Sequence, residues 1–203
     1  MPNVVVSSTF DNADLKKFGF DASQFFSGTV KVAARPLADG TIQVAADLDN
    51  AAITIKDLGI AKAKGTNGSA KAAIKLDGEI AEVSQVDISF GTVSLQGSII
   101  ADLKKGLQEA QFTRFALSEG DSAQLNLKPI DGGYKLTLRG DQLDLKPMLQ
   151  RFFSLSGDST GGPTANAVNT SIVADIELKR ALGFYKTTAF NLNLDLSLKG
   201  ADL

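Results

Sequence analysis

From Phe190 to Lys199 the chain alternates without a break: Phe190, Leu192, Leu194, Leu196 and Leu198 are apolar, and Asn191, Asn193, Asp195, Ser197 and Lys199 are polar. Successive side chains of a strand point to opposite faces, so this segment reads as one long strand with an apolar face and a wetted face. The same period of two places Ile42, Val44, Ala46 and Leu48 opposite Gln43, Ala45 and Asp47. It also places Ala70, Ala72, Ile74 and Leu76 opposite Lys71, Ala73, Lys75 and Asp77. Further strands are predicted over Val4 to Phe10, Gly28 to Ala34, Ala81 to Phe90, Thr92 to Ala101 (with Val93, Leu95 and Ile99 on one face), Leu107 to Phe115, Ser122 to Leu127, Tyr134 to Arg139 (with Leu136 and Leu138) and Ser171 to Lys179. Asp77-Gly78 and Asp131-Gly132-Gly133 carry turn signals, and so does Gly65 to Ser69, where Asn67 and Gly68 are expected to supply positive φ. After Asp49-Asn50 the apolar phase slips to Ala51, Ile53 and Ile55, as a bulge or tight turn would produce.

Two segments break the period. Asp11 or Asn12 is placed to cap a short helix carrying Leu15 and Phe18. In LDLKPMLQRFFSLS, Met148, Leu149, Phe152 and Phe153 fall on one helical stripe, with Pro147 suited to the first helical position. Ser156 to Thr170 follows as a loop of small and turn-forming residues. About eleven to thirteen strands spaced roughly 8–12 residues apart predict an all-β, mainly antiparallel fold. It is expected to be an elongated, curved, groove-like or half-open sheet with one or two short helices, or a closed sandwich, within a single domain over 1–203. A dozen strands about 4.8 Å apart would extend roughly 55 Å if fully open.

The chemistry-bearing residues narrow the function. Lys and Arg total 21 against 23 Asp and Glu, a net charge of −2, which offers no excess positive charge for a phosphate backbone, so nucleic acid is not an expected partner. Histidine and cysteine are both absent, which removes the commonest general base, the thiolate nucleophile and the usual soft metal ligands. No enzyme, metal or cofactor is therefore expected. Asp47, Asp49, Asp57, Asp87, Asp141, Asp144 and Asp195 show neither a calcium-loop pattern nor an acid-base pair, and read as solvated faces and turns. No run of roughly 20 apolar residues is present. Because strand-like sequence starts at Val4 and the last alternating run stops close to Leu203, the chain is expected to be a segment excised from a longer protein.

The candidate site is the apolar face itself: Ile42, Val44, Leu48, Val93, Leu95, Ile99, Leu136, Leu138, Phe190, Leu192, Leu194 and Leu196. It either packs into a dry core or lines a groove for lipid tails. Met148, Leu149, Phe152 and Phe153 either anchor the second helix on the sheet or gate that groove. Phe10, Phe18, Phe20, Phe25 and Phe26 either cap one end of the core or form a membrane-facing or partner-facing patch.

Three stretches carry a resemblance. LDNAAITIKDLGIAKAKGTNGSAKAAIKLDG (Leu48 to Gly78) contains a strand with aspartates, an LGxxKxxG turn and a second strand. VSLQGSIIADLKKGLQEAQFTRFAL (Val93 to Leu117) forms a strand, glycine and strand-to-phenylalanine hairpin. GGYKLTLRGDQLDLKPMLQRF (Gly132 to Phe152) joins a strand and Arg-Gly turn to an LDLxPxL helix start. Together they resemble AsmA-like proteins, the relatives of AsmA, TamB and YhdP, over about residues 28 to 200. The resemblance implies a periplasmic segment of an envelope protein of a diderm bacterium, its parent anchored in the inner membrane by a part absent from this sequence. It also implies a sheet with an apolar groove through which phospholipids pass toward the outer membrane, and it carries no catalytic residues. Phospholipid acyl chains are then the expected partner, with neighbouring β-segments or a second copy pairing at the sheet edges.

Overall fold

Alternation becomes strand over most of the computed structural model, which describes residues 4–17, 21–55, 60–146 and 171–198. In chain order the elements are β1 (Val6–Phe10), α1 (Asn12–Lys17), β2 (Phe26–Gly28), β3 (Val30–Pro36), β4 (Ile42–Asp47), β5 (Ala51–Ile55), β6 (Ile60–Lys62) and β7 (Gly68–Asp77). They continue as β8 (Ile80–Phe90), β9 (Val93–Asp102), β10 (Gly106–Ala116), β11 (Ser122–Ile130), β12 (Gly133–Asp144), β13 (Ser171–Leu182) and β14 (Thr188–Leu198). An 11-stranded sheet has the order β1-β3-β4-β7-β8-β9-β10-β11-β12-β13-β14, and a 3-stranded sheet the order β2-β5-β6. The large sheet is mixed, mostly antiparallel and not closed, so the fold is the all-β, half-open sheet with a short helix that alternation predicts.

Local chemistry sets the turns. Asp11, not Asn12, caps α1: its Oδ1 accepts the Asp14 amide at 2.9 Å, while Asn12 donates its side-chain amide to the Phe26 carbonyl. Gly78 takes φ 58° in the β7–β8 turn, as its Asp-Gly pair predicts. Asp102 Oδ1 accepts the amides of Lys104 and Lys105, both at 2.9 Å, which closes the β9–β10 turn.

The phase slip at Asp49-Asn50 is a corner through which three strands pass. β2 leads into β3, β4 into β5 and β6 into β7, so the order β2-β5-β6 repeats β3-β4-β7 and the small sheet is the large one folded back on itself. Backbone bonds cross the fold from Thr29 N to Asn50 O (3.2 Å), Leu48 N to Gly68 O (2.9 Å) and Gly65 N to Asp49 O (2.7 Å). Asp49 Oδ1 accepts the Gly68 amide at 2.8 Å. Lys62, only 4% exposed, lays its stem over Gly68 and donates from Nζ to the Ala51 carbonyl at 2.8 Å. Here the sequence reading is corrected: Gly65, at φ 86°, supplies the positive φ, whereas Asn67 and Gly68 do not. Gly68 sits in a crowded place instead: a β-carbon there would lie 2.7 Å from Lys62 Cε, 3.0 Å from Phe90 Cβ and 3.2 Å from Leu48 Cβ.

β12 and β13 run parallel, which no tight hairpin can connect. The expected helix over Pro147 to Leu155, with Met148, Leu149, Phe152 and Phe153, and the loop from Ser156 to Thr170 lie outside the described residues.

Candidate functional site

Register assembles the apolar positions into rows that cross the sheet. Ile42 pairs with Ile74, Ile74 with Val83 and Val83 with Ile99. The row continues through Ala110, Leu127, Leu136 and Ala174 to Leu196, so it runs from β4 to β14 without a gap. A second row links Phe112, Leu125, Leu138, Ile176 and Leu194. A third links Ile88, Leu95, Phe115 and Ala123. Paired residues share a face, so these rows make one continuous aliphatic surface.

Its cover is uneven. Leu48, Ala51 and Ile60 at the folded-back corner share a core with Phe90, Val93, Phe115, Leu117, Leu138, Leu143 and Leu145, and Phe26, Ile53 and Ile55 of the small sheet pack against it. Leu95, Leu136, Leu192, Leu194 and Leu196 also pack against this core but remain half-buried. Ile42, Val44 and Ile99 are half-buried on the same face. Among the predicted site residues, Leu48, Val93 and Leu138 are thus core residues, and Leu95, Leu136 and the β14 leucines are its partly open continuation.

Phe190 is not part of that surface. In β12, Leu138 and Leu143 are both buried although five residues apart, and in β13 Leu178 and Ala181 are both buried three apart, which strict alternation forbids. The phase is reset at Asp141, Lys179 and Asn191. Relative to β11, Asp141 is an extra residue; Lys179 Nζ pairs with Asp141 Oδ1 at 2.7 Å, and Asn191 has φ 51°. Beyond the reset Phe190 pairs with exposed Arg180 on the opposite face and is itself 70% exposed. Asn tolerates the left-handed region better than most residues, and the perfect alternation of FNLNLDLSL conceals the change.

The opposite face is polar and concave, a feature the sequence reading missed. A trough of about 770 Å³ is lined by Gln96, Arg114, Gln124, Arg139, Glu177 and Asn193, among others. Arg139 Nη2 lies 2.7 Å from Asp175 Oδ2 and Nε lies 3.2 Å from Glu177 Oε2. Hydrogen bonding to Asp175 holds the guanidinium further above its ordinary range, and the same bond to Arg139 lowers the Asp175 carboxyl. The Asp141 hydrogen bond likewise raises the Lys179 ammonium. Arg139 and Lys179 are thus engaged by carboxylates of the same sheet, an arrangement that fixes strand register, while Arg114 Nε donates to Ser94 Oγ at 2.9 Å. Among the described residues no group of three or more Asp and Glu is placed to hold a metal ion.

Asp121, 7% exposed, accepts three backbone amides: Leu117 (3.0 Å) and Ser118 (2.7 Å) on Oδ2, and Asp144 (2.8 Å) on Oδ1. It ties the β10–β11 turn to the end of β12 and closes that end of the apolar face. A scan against protein-family models, a search of curated proteins and a search of solved structures each returned no match.

Proposed function

We infer that this chain is a lipid-contacting, non-catalytic β-sheet segment of an AsmA-like periplasmic protein. Its parent would be anchored in the inner membrane and take part in phospholipid transport between inner and outer membranes and in outer-membrane integrity. The observation that carries the reading is the uneven cover of the apolar face: the row from Ile42 to Leu196 is continuous, while Leu136, Leu192, Leu194 and Leu196 stay partly open. Aliphatic surface left to water costs about 25 cal/mol per Å², so an acyl chain laid along these rows gains what the protein alone leaves unrealised. Solvation of the chain is the whole of the chemistry, and no metal or cofactor is required. The resemblance over Leu48 to Gly78, Val93 to Leu117 and Gly132 to Phe152 supplies the family and compartment.

The test is lipid extraction and native mass spectrometry of the purified protein. Copurifying phospholipid that is lost in Leu194→Asp, with the circular dichroism of a β protein retained, supports the reading; a folded variant with unchanged lipid content counts against it. A second reading, a β-sandwich module for structure or protein interaction in the cell envelope, draws on the folded-back sheet β2-β5-β6, which seals part of the core. It predicts no copurifying lipid.

A further inference from the structure

We propose that the rim of the sheet bearing the β7–β8, β9–β10 and β11–β12 turns docks on the surface of a lipid bilayer and is the side from which an acyl chain reaches the apolar face. This rests on the lipid-contacting role proposed above and adds the place and direction of access.

The two ends of the strands differ sharply. At one end the aliphatic surface is sealed: Phe90 is 8% exposed, Leu117 6%, Leu143 0% and Leu145 8%. At the other, Leu76 is 57% exposed, Leu103 66% and Ile172 40%, and Ile130, 38% exposed, lies three residues beyond Leu127 and so on the polar side of the same rim. These four sit in or beside turns, or in register with them: Leu76 precedes Asp77, which pairs with Ile80, Leu103 follows Asp102, and Ile130 pairs with Gly133, whose neighbour Tyr134 pairs with Ile172. Val5 and Val6, 56% and 61% exposed, reach the same end, since Val6 pairs with Ala34 close to the end of β3. Of the other exposed large hydrophobic side chains among the described residues, Val4 continues the same N-terminal run, Phe25, Tyr185 and Phe190 lie elsewhere, and Ile100, 37% exposed, lies within β9 on the polar face, where it pairs with Glu82.

A row of aliphatic turn tips along one rim suits insertion into the interface of a bilayer. The charge beside it identifies the surface. Lys104 next to Leu103 is paired with Glu79 of the neighbouring turn, and Lys128 is paired with Glu109 at 3.1 Å, so the rim presents compensated charge and long lysine stems rather than a basic patch. It fits a zwitterionic surface and does not require anionic lipid.

Cosedimentation with phosphatidylcholine vesicles tests the rim. The wild-type chain is expected to bind them, with binding unchanged by high salt. The double variant Leu76→Ser, Leu103→Ser is expected to bind roughly tenfold more weakly, while Phe190→Ser binds as wild type does. Wild-type chain that stays in the supernatant, or a double variant that binds like wild type, overturns the proposal. Uptake of a fluorescent fatty acid supplied as monomer reports the apolar face separately, and the folded double variant is expected to retain it. Should the rim substitutions abolish vesicle binding while even wild type takes up no fatty acid, the rim stands and the lipid-contacting role falls.

Discussion

Arg139 grips Asp175 twice across the parallel pair of strands: Nη2 donates to the carboxylate at 2.7 Å and Nη1 to the Asp175 backbone carbonyl at 2.9 Å. In a hairpin the turn sets the register, but β12 and β13 run parallel and no tight hairpin can join them, and a slip of one residue would move Leu138 and Ile176 off the core face. Arg139→Met is expected to lower Tm by roughly a few degrees and to speed amide exchange in β13 and β14 more than in β7 to β9. Arg139→Lys is expected to recover only part of the loss, because an ammonium lacks the planar fork that serves both acceptors.

The same pair adds to the acid sensitivity of the fold. Asp175 is lowered chiefly by its hydrogen bond to Arg139 and secondarily by the charges of Arg139 and Lys135, against the opposing effect of burial. The folded state therefore holds this proton less tightly than the unfolded chain, and the stabilisation is present above the ordinary aspartate value of 3.8 and is lost as pH falls below it. Asp14, Asp21, Asp39, Asp102 and Glu109 are lowered too, with Asp21 at about 2, so the whole chain loses stability in acid. Thermal melts across this range are expected to fall less steeply for Asp175→Asn than for wild type.

At the corner, a β-carbon on Gly28 would lie 2.2 Å from the Asn50 carbonyl oxygen, at a φ of +91°. Gly28→Ala is expected to cost at least about 1–2 kcal/mol from backbone conformation alone, with the clash in addition. At roughly 2–4 °C per kcal/mol for a chain of this size, calorimetry should show the drop plainly. Gly40→Ala has open space around its β-carbon at a φ of +83° and is expected to show only the conformational part.

Removing the Asp121 carboxylate leaves the amides of Leu117, Ser118 and Asp144 without their acceptor. Each buried donor left unpaired costs about 1–3 kcal/mol, so Asp121→Ala is expected to be among the most damaging single substitutions. Urea titration is expected to show a much lower midpoint, while Asp121→Asn, which keeps one acceptor oxygen, falls between the variant and wild type.

Two aromatic and aliphatic neighbours on one strand should behave oppositely toward lipid. Leu194 pairs with buried Ile176 on the apolar face, whereas Phe190 pairs with exposed Arg180 on the other. Leu194→Asp is therefore expected to reduce bound lipid and Phe190→Asp to leave it unchanged, as read by extraction and mass spectrometry of the folded variants.

What could be read beforehand followed the range of the signal. Asp77-Gly78 and Asp131-Gly132 mark hairpins because the turn chemistry is local, and the alternation around Leu95, Leu138 and Leu194 fixed the apolar face because its period is local too. The parallel pair could not be read, since nothing near Asp144 or Ser171 declares which strand lies beside which. Alternation puts Phe190 on the wrong face because a backbone dihedral at Asn191, not a side chain, changes that face. The polar trough stayed hidden because Gln124, Arg139 and Glu177 are far apart in the chain and meet only through strand pairing. The corner lay between these cases: the slip after Asp49 was visible, but the brace formed by Lys62 over Gly68 was not.

The seam between β12 and β13 makes the molecule divisible. The hairpin β13–β14 joins the remaining strands through interstrand bonds and through the peptide link after Lys146; lengthening such a link raises the entropic cost of docking only slowly, whereas cutting it makes docking bimolecular and dependent on concentration. Two polypeptides that divide the chain between β12 and β13 should recognise each other along that seam at sufficient concentration, so a split form whose halves reunite is already built into the order of the strands.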